Sequence, residues 1–182
     1  MPKVFLSPSL QEYNPYVGGG NEEYYMNLLA DAMEPYLRAS GIEVERNTPS
    51  QTLSQAIAQS NSSGADLHFA LHSNAAGESN AGSVRGAEFY YYPTSSNGER
   101  FANILKENYD EVYPVTDRIS AIPTTSLAEV RRTSSPAVLA EVAYHDNAQD
   151  AQFIRDNLDA IARNLSRSIA QYFNVPFLEP NP

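Results

Sequence analysis

Apolar positions along the chain change period several times, and each change marks an element. Lys3 to Leu6 (KVFL) is a short β-branched and aromatic run closed by Ser7-Pro8-Ser9, which reads as a first strand. From Asn21, a helix N-cap, the spacing turns helical: Tyr25, Met26, Leu29, Ala32, Met33, Tyr36 and Leu37 recur at three and four residues until Gly41 stops the pattern. Pro35 inside this stretch lacks a backbone donor and predicts a kink or break. Ile42 to Arg46 alternates as a second strand, and Thr52 to Asn61 is a short amphipathic helix. After the breaker Ser62-Ser63-Gly64, the stretch Ala65 to Ala75 (ADLHFALHSNA) reads as a buried strand that runs out into His72, Ser73 and Asn74.

The second half continues in the same manner. Ala87 to Tyr92 (AEFYYY) is a strand whose successive tyrosines suit packing on a half-buried pleat, Glu99 to Tyr109 a helix, and Asp117 to Thr125 a loop. Leu127 to Arg131 and Ala137 to Tyr144 supply the last strands. Asn147 with Asp150 resembles a helix start, and Phe153, Ile154, Leu158, Ile161, Leu165, Ile169 and Phe173 trace one long closing helix. Residues 176–182 are linker-like, so the domain is expected to span 1–175. A β-α-β-α-β order predicts an α/β fold, a mostly parallel twisted sheet flanked by helices on both faces.

Composition narrows the function. With 182 residues and 42% hydrophobic content the chain suits one domain with a proper core. A net charge of −10 argues against nucleic acid and anionic membranes as partners, and the expectation is a monomer. No cysteine occurs, which excludes a disulfide framework and leaves His, carboxylate or amide oxygen as metal ligands. The stretch MPKVFLSPSL has no apolar core of a signal peptide, and no apolar run is long enough to span a membrane.

The candidate chemistry lies at element ends. His72 falls where a strand runs out, the place where open α/β sheets bind ligands, and Asn74 follows it there. On a strand His68 lies roughly 13 Å from His72, too far to share one ion, and reads as a core histidine. Glu22 extends the apolar stripe of the first helix backwards and points inward, whereas Glu23 points to the solvated face. Glu141 is a lone carboxylate in the apolar run AVLAEVAY, expensive to bury unless it is paired, metal-linked or functional. The bare Gly18-Gly19-Gly20 is a turn signal, with no Lys-Ser/Thr after it to make a phosphate loop. His and Glu ligands with a spare glutamate nearby are what a hydrolytic zinc site uses.

These residues resemble the zinc-dependent N-acetylmuramoyl-L-alanine amidases, a family that includes cell-wall and sporulation amidases and many phage endolysins. The likeness runs from VFLSPS to the last helix. Glu22 stands nineteen residues before Gly41 as the family's helix glutamate does, ALHSNA resembles the family's "SIHANA" strand, and PAVLAEVAYHDN resembles its "PAVLVE.GF.SN" strand. The resemblance implies Glu22 and His72 as zinc ligands, Glu141 as the catalytic acid and base, and, through RRTSSPAVLAE, Arg131 at the family's arginine, on the substrate side with Asn74. It also implies hydrolysis of the bond between N-acetylmuramic acid and L-alanine in peptidoglycan, on a cell wall reached by secretion, lysis or phage delivery. One departure stands out: Leu10 occupies the place of the family's first zinc histidine. Gln11 beside it is the expected weak third ligand, with His145 assisting near the metal or steadying the tetrahedral intermediate. The alternatives are a non-catalytic peptidoglycan-binding module and a related metallopeptidase.

Overall fold

In the computed structural model, which describes residues 1–180, six strands form one sheet in the order β2-β1-β3-β6-β4-β5. They are β1 (Lys3–Pro8), β2 (Glu43–Arg46), β3 (Leu67–Asn74), β4 (Ala87–Tyr91), β5 (Ile119–Pro123) and β6 (Ala137–Tyr144). The helices are α1 (Glu22–Ala39), α2 (Leu53–Ser62), α3 (Ser96–Tyr109), α4 (Ala128–Arg131), α5 (Ala148–Asp156) and α6 (Leu158–Phe173). Every neighbouring pair is parallel except β4 with β6, so the α/β architecture expected from the alternation of periods is the one observed.

Side-chain alternation along β3 sorts the layers. Phe69 and Leu71 face a thick layer in which Leu6, Val138 and Ala140 meet Leu29 and Met33 of α1, Phe101 of α3, Ile154 of α5 and Ile161 of α6. His68, Ala70 and His72 face the opposite side. There α2 contributes Ser60 to a bond with His68, and α4 contributes Val130 to a small cluster with Ala70, Ala137 and Leu139. From β1 the chain goes to β2 on one side and returns as β3 on the other, so the winding reverses between β1 and β3. Ligand crevices of open α/β sheets lie at such reversals, beyond the carboxyl ends of the strands.

Several local expectations need correction. Ile119–Pro123 is an edge strand rather than loop; it pairs only with β4, through backbone groups that leave little mark on the side-chain pattern. Leu127 to Arg131 is not a strand but the turn of α4, with Arg131 N–H bonded to Leu127 O, and its Leu127 and Val130, three apart, pack on the same small cluster. α1 passes through Pro35 without a break, because Pro35 lies on the exposed face where the unpaired carbonyl can reach water. The closing helix is two helices, divided at Asn157, whose side chain bonds Phe153 O while Leu158 starts the next axis.

The stretch after α6, linker-like in composition, lies back on the body. Phe177 stacks on Tyr36 and Leu178 N–H donates to Ser40 Oγ, while Asn181 and Pro182 of that stretch lie outside the described residues. Gly20 holds a positive φ of 81°, and a Cβ there would come within 2.5 Å of the Tyr25 ring, so this turn into α1 requires glycine.

Candidate active site

The site begins with a helix cap. Asn21 accepts from Tyr24 N–H, which makes Glu22 the first helical residue and leaves it 1% exposed at a helix N-terminus that favours negative charge. Glu22 Oε1 lies 2.8 Å from Nδ1 of His72, and its Oε2 accepts from Asn14 Nδ2 at 2.7 Å. Asn14 Nδ2 also reaches Gln11 Oε1 at 3.0 Å, and Gln11 Nε2 lies 3.3 Å from His72 Nδ1. The other edge of the His72 ring meets a residue that periodicity did not single out: Nε2 is 3.0 Å from Glu129 Oε2. Glu129 Oε1 accepts from Ser7 Oγ and lies 3.1 Å from His68 Nε2, while His68 Nδ1 bonds Ser60 Oγ.

Glu141 stands across from His72 in the β3/β6 register and across from Glu88 in the β4/β6 register. Its Oε2 is buried and has no hydrogen-bond partner among the described residues. Glu88 by contrast accepts from Asn74 Nδ2 at 3.0 Å and Tyr90 OH at 2.7 Å, and the Tyr144 hydroxyl lies 3.4 Å from its other oxygen. Ser7, Gln11, His72, Leu127, Glu129 and Glu141 line a cleft of about 450 Å³ at the ends of β1, β3 and β6.

Charge is unevenly shared among these groups. Burial pushes the Glu141 carboxyl up to about 8, opposed by His72 and helped by Glu22, Glu88 and Glu129. Burial would depress His72, but bonds to Glu129 and Glu22 overcome it and raise the ring well above the ordinary imidazole range. The two partners move the opposite way. Burial raises both, yet His68 and His72 hold Glu129 well below the carboxylate range, and His72 with Asn14 lowers Glu22.

Of the residues expected from sequence, Glu22, His72, Gln11 and Glu141 converge here, and Asn74 stands at the margin on Glu88. His145 and Arg131 do not join them. His145 Nδ1 lies 2.8 Å from Ser73 O and 3.0 Å from Ser73 Oγ, and its ring stacks on Tyr16. Ser73 follows His72 on the strand and so faces the opposite side of the sheet; His145 goes with it, 3% exposed, into the tether of the 10–21 loop. Arg131 lies on the exposed side of α4, whose buried residues are Glu129 and Val130.

The residues missed by periodicity are Glu129, Ser7 and Asn14; His68 is the core histidine expected, 0% exposed. The reasoning that singled out Glu141, a lone acid between apolar neighbours, applies equally to Glu129 in Leu127-Ala128-Glu129-Val130. His68 and His72 cannot share an ion, but a carboxylate with two oxygens joins them. Among the described residues no three His, Asp or Glu side chains are gathered round one point as metal ligands are. Glu22 and Glu129 sit on opposite edges of the His72 ring, so only one of them can share an ion with it.

Comparison with known proteins places this geometry. The profile of the family described as N-acetylmuramoyl-L-alanine amidase matches residues 7–171. The chain is 30% identical over 127 residues, 68% of its length, to the N-acetylmuramoyl-L-alanine amidase CwlM of Bacillus licheniformis, and covers 47% of that protein. It is 26% identical over 179 residues to LytC of Bacillus subtilis (strain 168), covering 93% of this chain and 35% of that protein, so it spans less than half the length of either relative. Among solved structures, the catalytic domain of CwlV from Bacillus (Paenibacillus) polymyxa var. colistinus superposes with a TM-score of 0.83 at 22% identity, over 97% of this chain and 100% of that one. The catalytic domain of the CD27L endolysin, targeting Clostridia difficile, gives 0.77 at 20% identity over 94% and 98%. These last two likenesses concern the fold, whereas the profile spans almost every element that carries the site: the chain belongs to the N-acetylmuramoyl-L-alanine amidase family.

Proposed function

We propose that this domain hydrolyses the amide between N-acetylmuramic acid and L-alanine in peptidoglycan, with Glu141 as general base and then general acid. The observation that carries the reading is the buried, unpartnered Oε2 of Glu141 in a cleft shared with His72. A carboxyl whose proton affinity is raised towards neutrality is suited to take a proton from attacking water and return it to the leaving amine. The Tyr90 and Tyr144 hydroxyls are held on Glu88 and not on Glu141, whose Oε2 stays free for a proton.

The donor set fits a divalent cation at one edge of His72. Glu22 Oε1 and the Gln11 amide lie 2.8 and 3.3 Å from His72 Nδ1, and turning that amide over would bring its oxygen to the position of its nitrogen in exchange for the bond it accepts from Asn14. Glu22 supplies a carboxylate oxygen at that edge and Glu141 stands across from the same ring in the β3/β6 register, and a dication there would offset the charge of Glu22. Zinc bound by Glu22, His72 and Gln11 would supply Lewis acidity towards the scissile carbonyl and the attacking water. An amide oxygen is a poorer zinc ligand than imidazole, so affinity is expected below that of a site with two histidines.

Leu10 in the place of the family's first zinc histidine favours a second reading, a wall-binding module without turnover. Incubating the purified chain with bacterial sacculi, with and without zinc chloride, separates the two. The amidase reading expects new alanine amino termini without new sugar reducing ends, and more of them with zinc. Cosedimentation with the wall but no new amino termini would replace it with the binding module.

A further inference from the structure

Glu129 takes no part in the chemistry described so far, although three side-chain donors meet on it on the thin side of the sheet. It is 4% exposed and accepts from Ser7 Oγ and His68 Nε2 on one oxygen and from His72 Nε2 on the other. His68 is in turn fixed by Ser60 of α2, so the carboxylate is gripped from β1, from β3 and, through His68, from α2. Its own backbone is steadied as well, since Thr133 Oγ1 donates to Glu129 O. A carboxylate with three donors on two oxygens has little freedom to turn, and a ring bonded to it has little either.

We propose that Glu129 is the positioning residue of His72: it holds the Nε2–H and so dedicates Nδ1 to the edge where Glu22 and Gln11 converge. A histidine that ligates a metal commonly donates its other ring N–H to a carboxylate, which fixes both tautomer and ring orientation, and loss of such a partner costs roughly 10- to 100-fold in metal affinity. His72 carries more of the site here than in a two-histidine arrangement, because Leu10 offers nothing. The buried His68 acquires a role in the same step, as the brace of the brace. The inference rests on the amidase reading for what the dedicated edge does, but its geometry concerns the ring alone.

The test therefore reads the ring and the ion separately. The chain has three histidines, so ring nitrogens of the 15N-labelled protein can be assigned by single substitution. In the wild type, metal-free, the His72 Nε2–H is expected to be protected from solvent exchange; with zinc chloride it stays while Nδ1 carries no proton. Glu129→Gln, which keeps the shape, is expected to lose that protection and to weaken zinc binding by roughly tenfold or more. Ser7→Ala, which removes one donor from Glu129, should move both readouts the same way by a smaller factor and serves if Glu129→Gln does not fold. An unchanged His72 pattern with zinc affinity within about twofold in the variant that folds would overturn the proposal. If the wild type binds no zinc, the metal part of the amidase reading fails, and the exchange protection alone decides the place of Glu129.

Discussion

Asp150 and Glu141 are both carboxylates at the C-terminal end of β6 or just beyond it, and they have been treated oppositely by the fold. Asp150 is fully buried and accepts from Arg85 Nε at 2.7 Å, from the Tyr113 hydroxyl at 2.9 Å, and from the backbone N–H groups of Gly86 and Tyr144. Glu141 keeps one buried oxygen with no hydrogen-bond partner among the described residues. A buried acid that is fully bonded holds elements together, here the 85–86 turn, α5 and the end of β6. One left unsatisfied costs stability and persists where that state is used. On the proposed function, the difference separates a structural carboxylate from a chemical one without reference to either residue's neighbours in sequence.

The comparison can be broken most forcefully at Asp150. Asp150→Asn is expected to cost about 1–3 kcal/mol in urea unfolding, the penalty for leaving a buried donor such as the Gly86 or Tyr144 N–H without its acceptor. Molecules that remain folded should hydrolyse the wall at close to the wild-type rate. A cost below about 1 kcal/mol would show that the bonds to Asp150 are not what holds this end of the sheet.

Next in size is the pair Glu22 and Glu23. Alanine at Glu22 should lower zinc affinity by more than tenfold in calorimetric titration, the order of loss seen when an ordered metal-site partner goes. Alanine at the partly exposed Glu23 should leave it nearly unchanged. The reverse outcome would place the start of α1 one residue away from where Asn21 caps it.

His145→Ala comes after these. The ring is stacked on Tyr16 and bonded to Ser73 on the face away from His72, so its loss is expected to cost about 1–3 kcal/mol of stability with zinc content unchanged. Loss of the metal instead would return His145 to the site. Smallest is Gln11→His, expected to tighten zinc by several-fold by replacing an amide with imidazole; unaltered affinity would remove the Gln11 position from the coordination.

Much of this was legible in the chain. The strands β1, β3 and β6 announced themselves as apolar runs ending in polar clusters, and the helical stripe running back from Tyr25 gave Glu22 its inward direction, which its 1% exposure matches. What was lost has physical causes. β5 is an edge strand held by backbone bonds to one neighbour, so its side chains carry little period. α4 is a single turn, too short for periodicity to distinguish from a strand. Glu129 comes to His72 only because α4 packs on β6 beside β3, a contact between residues 57 apart in the chain. The place of His145 turned on a strand's alternation continued past its last residue, where Ser73 rather than His72 is its neighbour.

Glu141→Gln tests the central claim most directly, that Glu141 is left unpaired for proton transfer. Burial raises its folded pKa to about 8 from an ordinary value of 4.5, so the folded state holds this proton more tightly than the unfolded chain does. Stability from that proton is present at pH 4 and is lost progressively as pH rises towards 8, in a site where Glu22, Glu88, Glu129, His72, Tyr90 and Tyr144 also face the carboxyl. The glutamine variant escapes that loss. It is expected to release alanine amino termini from the wall roughly 10²- to 10⁴-fold more slowly, to keep its zinc, and, metal-free, to unfold at higher urea than the wild type at pH 8.5 but not at pH 5. Turnover comparable to the wild type, or a variant less stable at pH 8.5, would contradict the account.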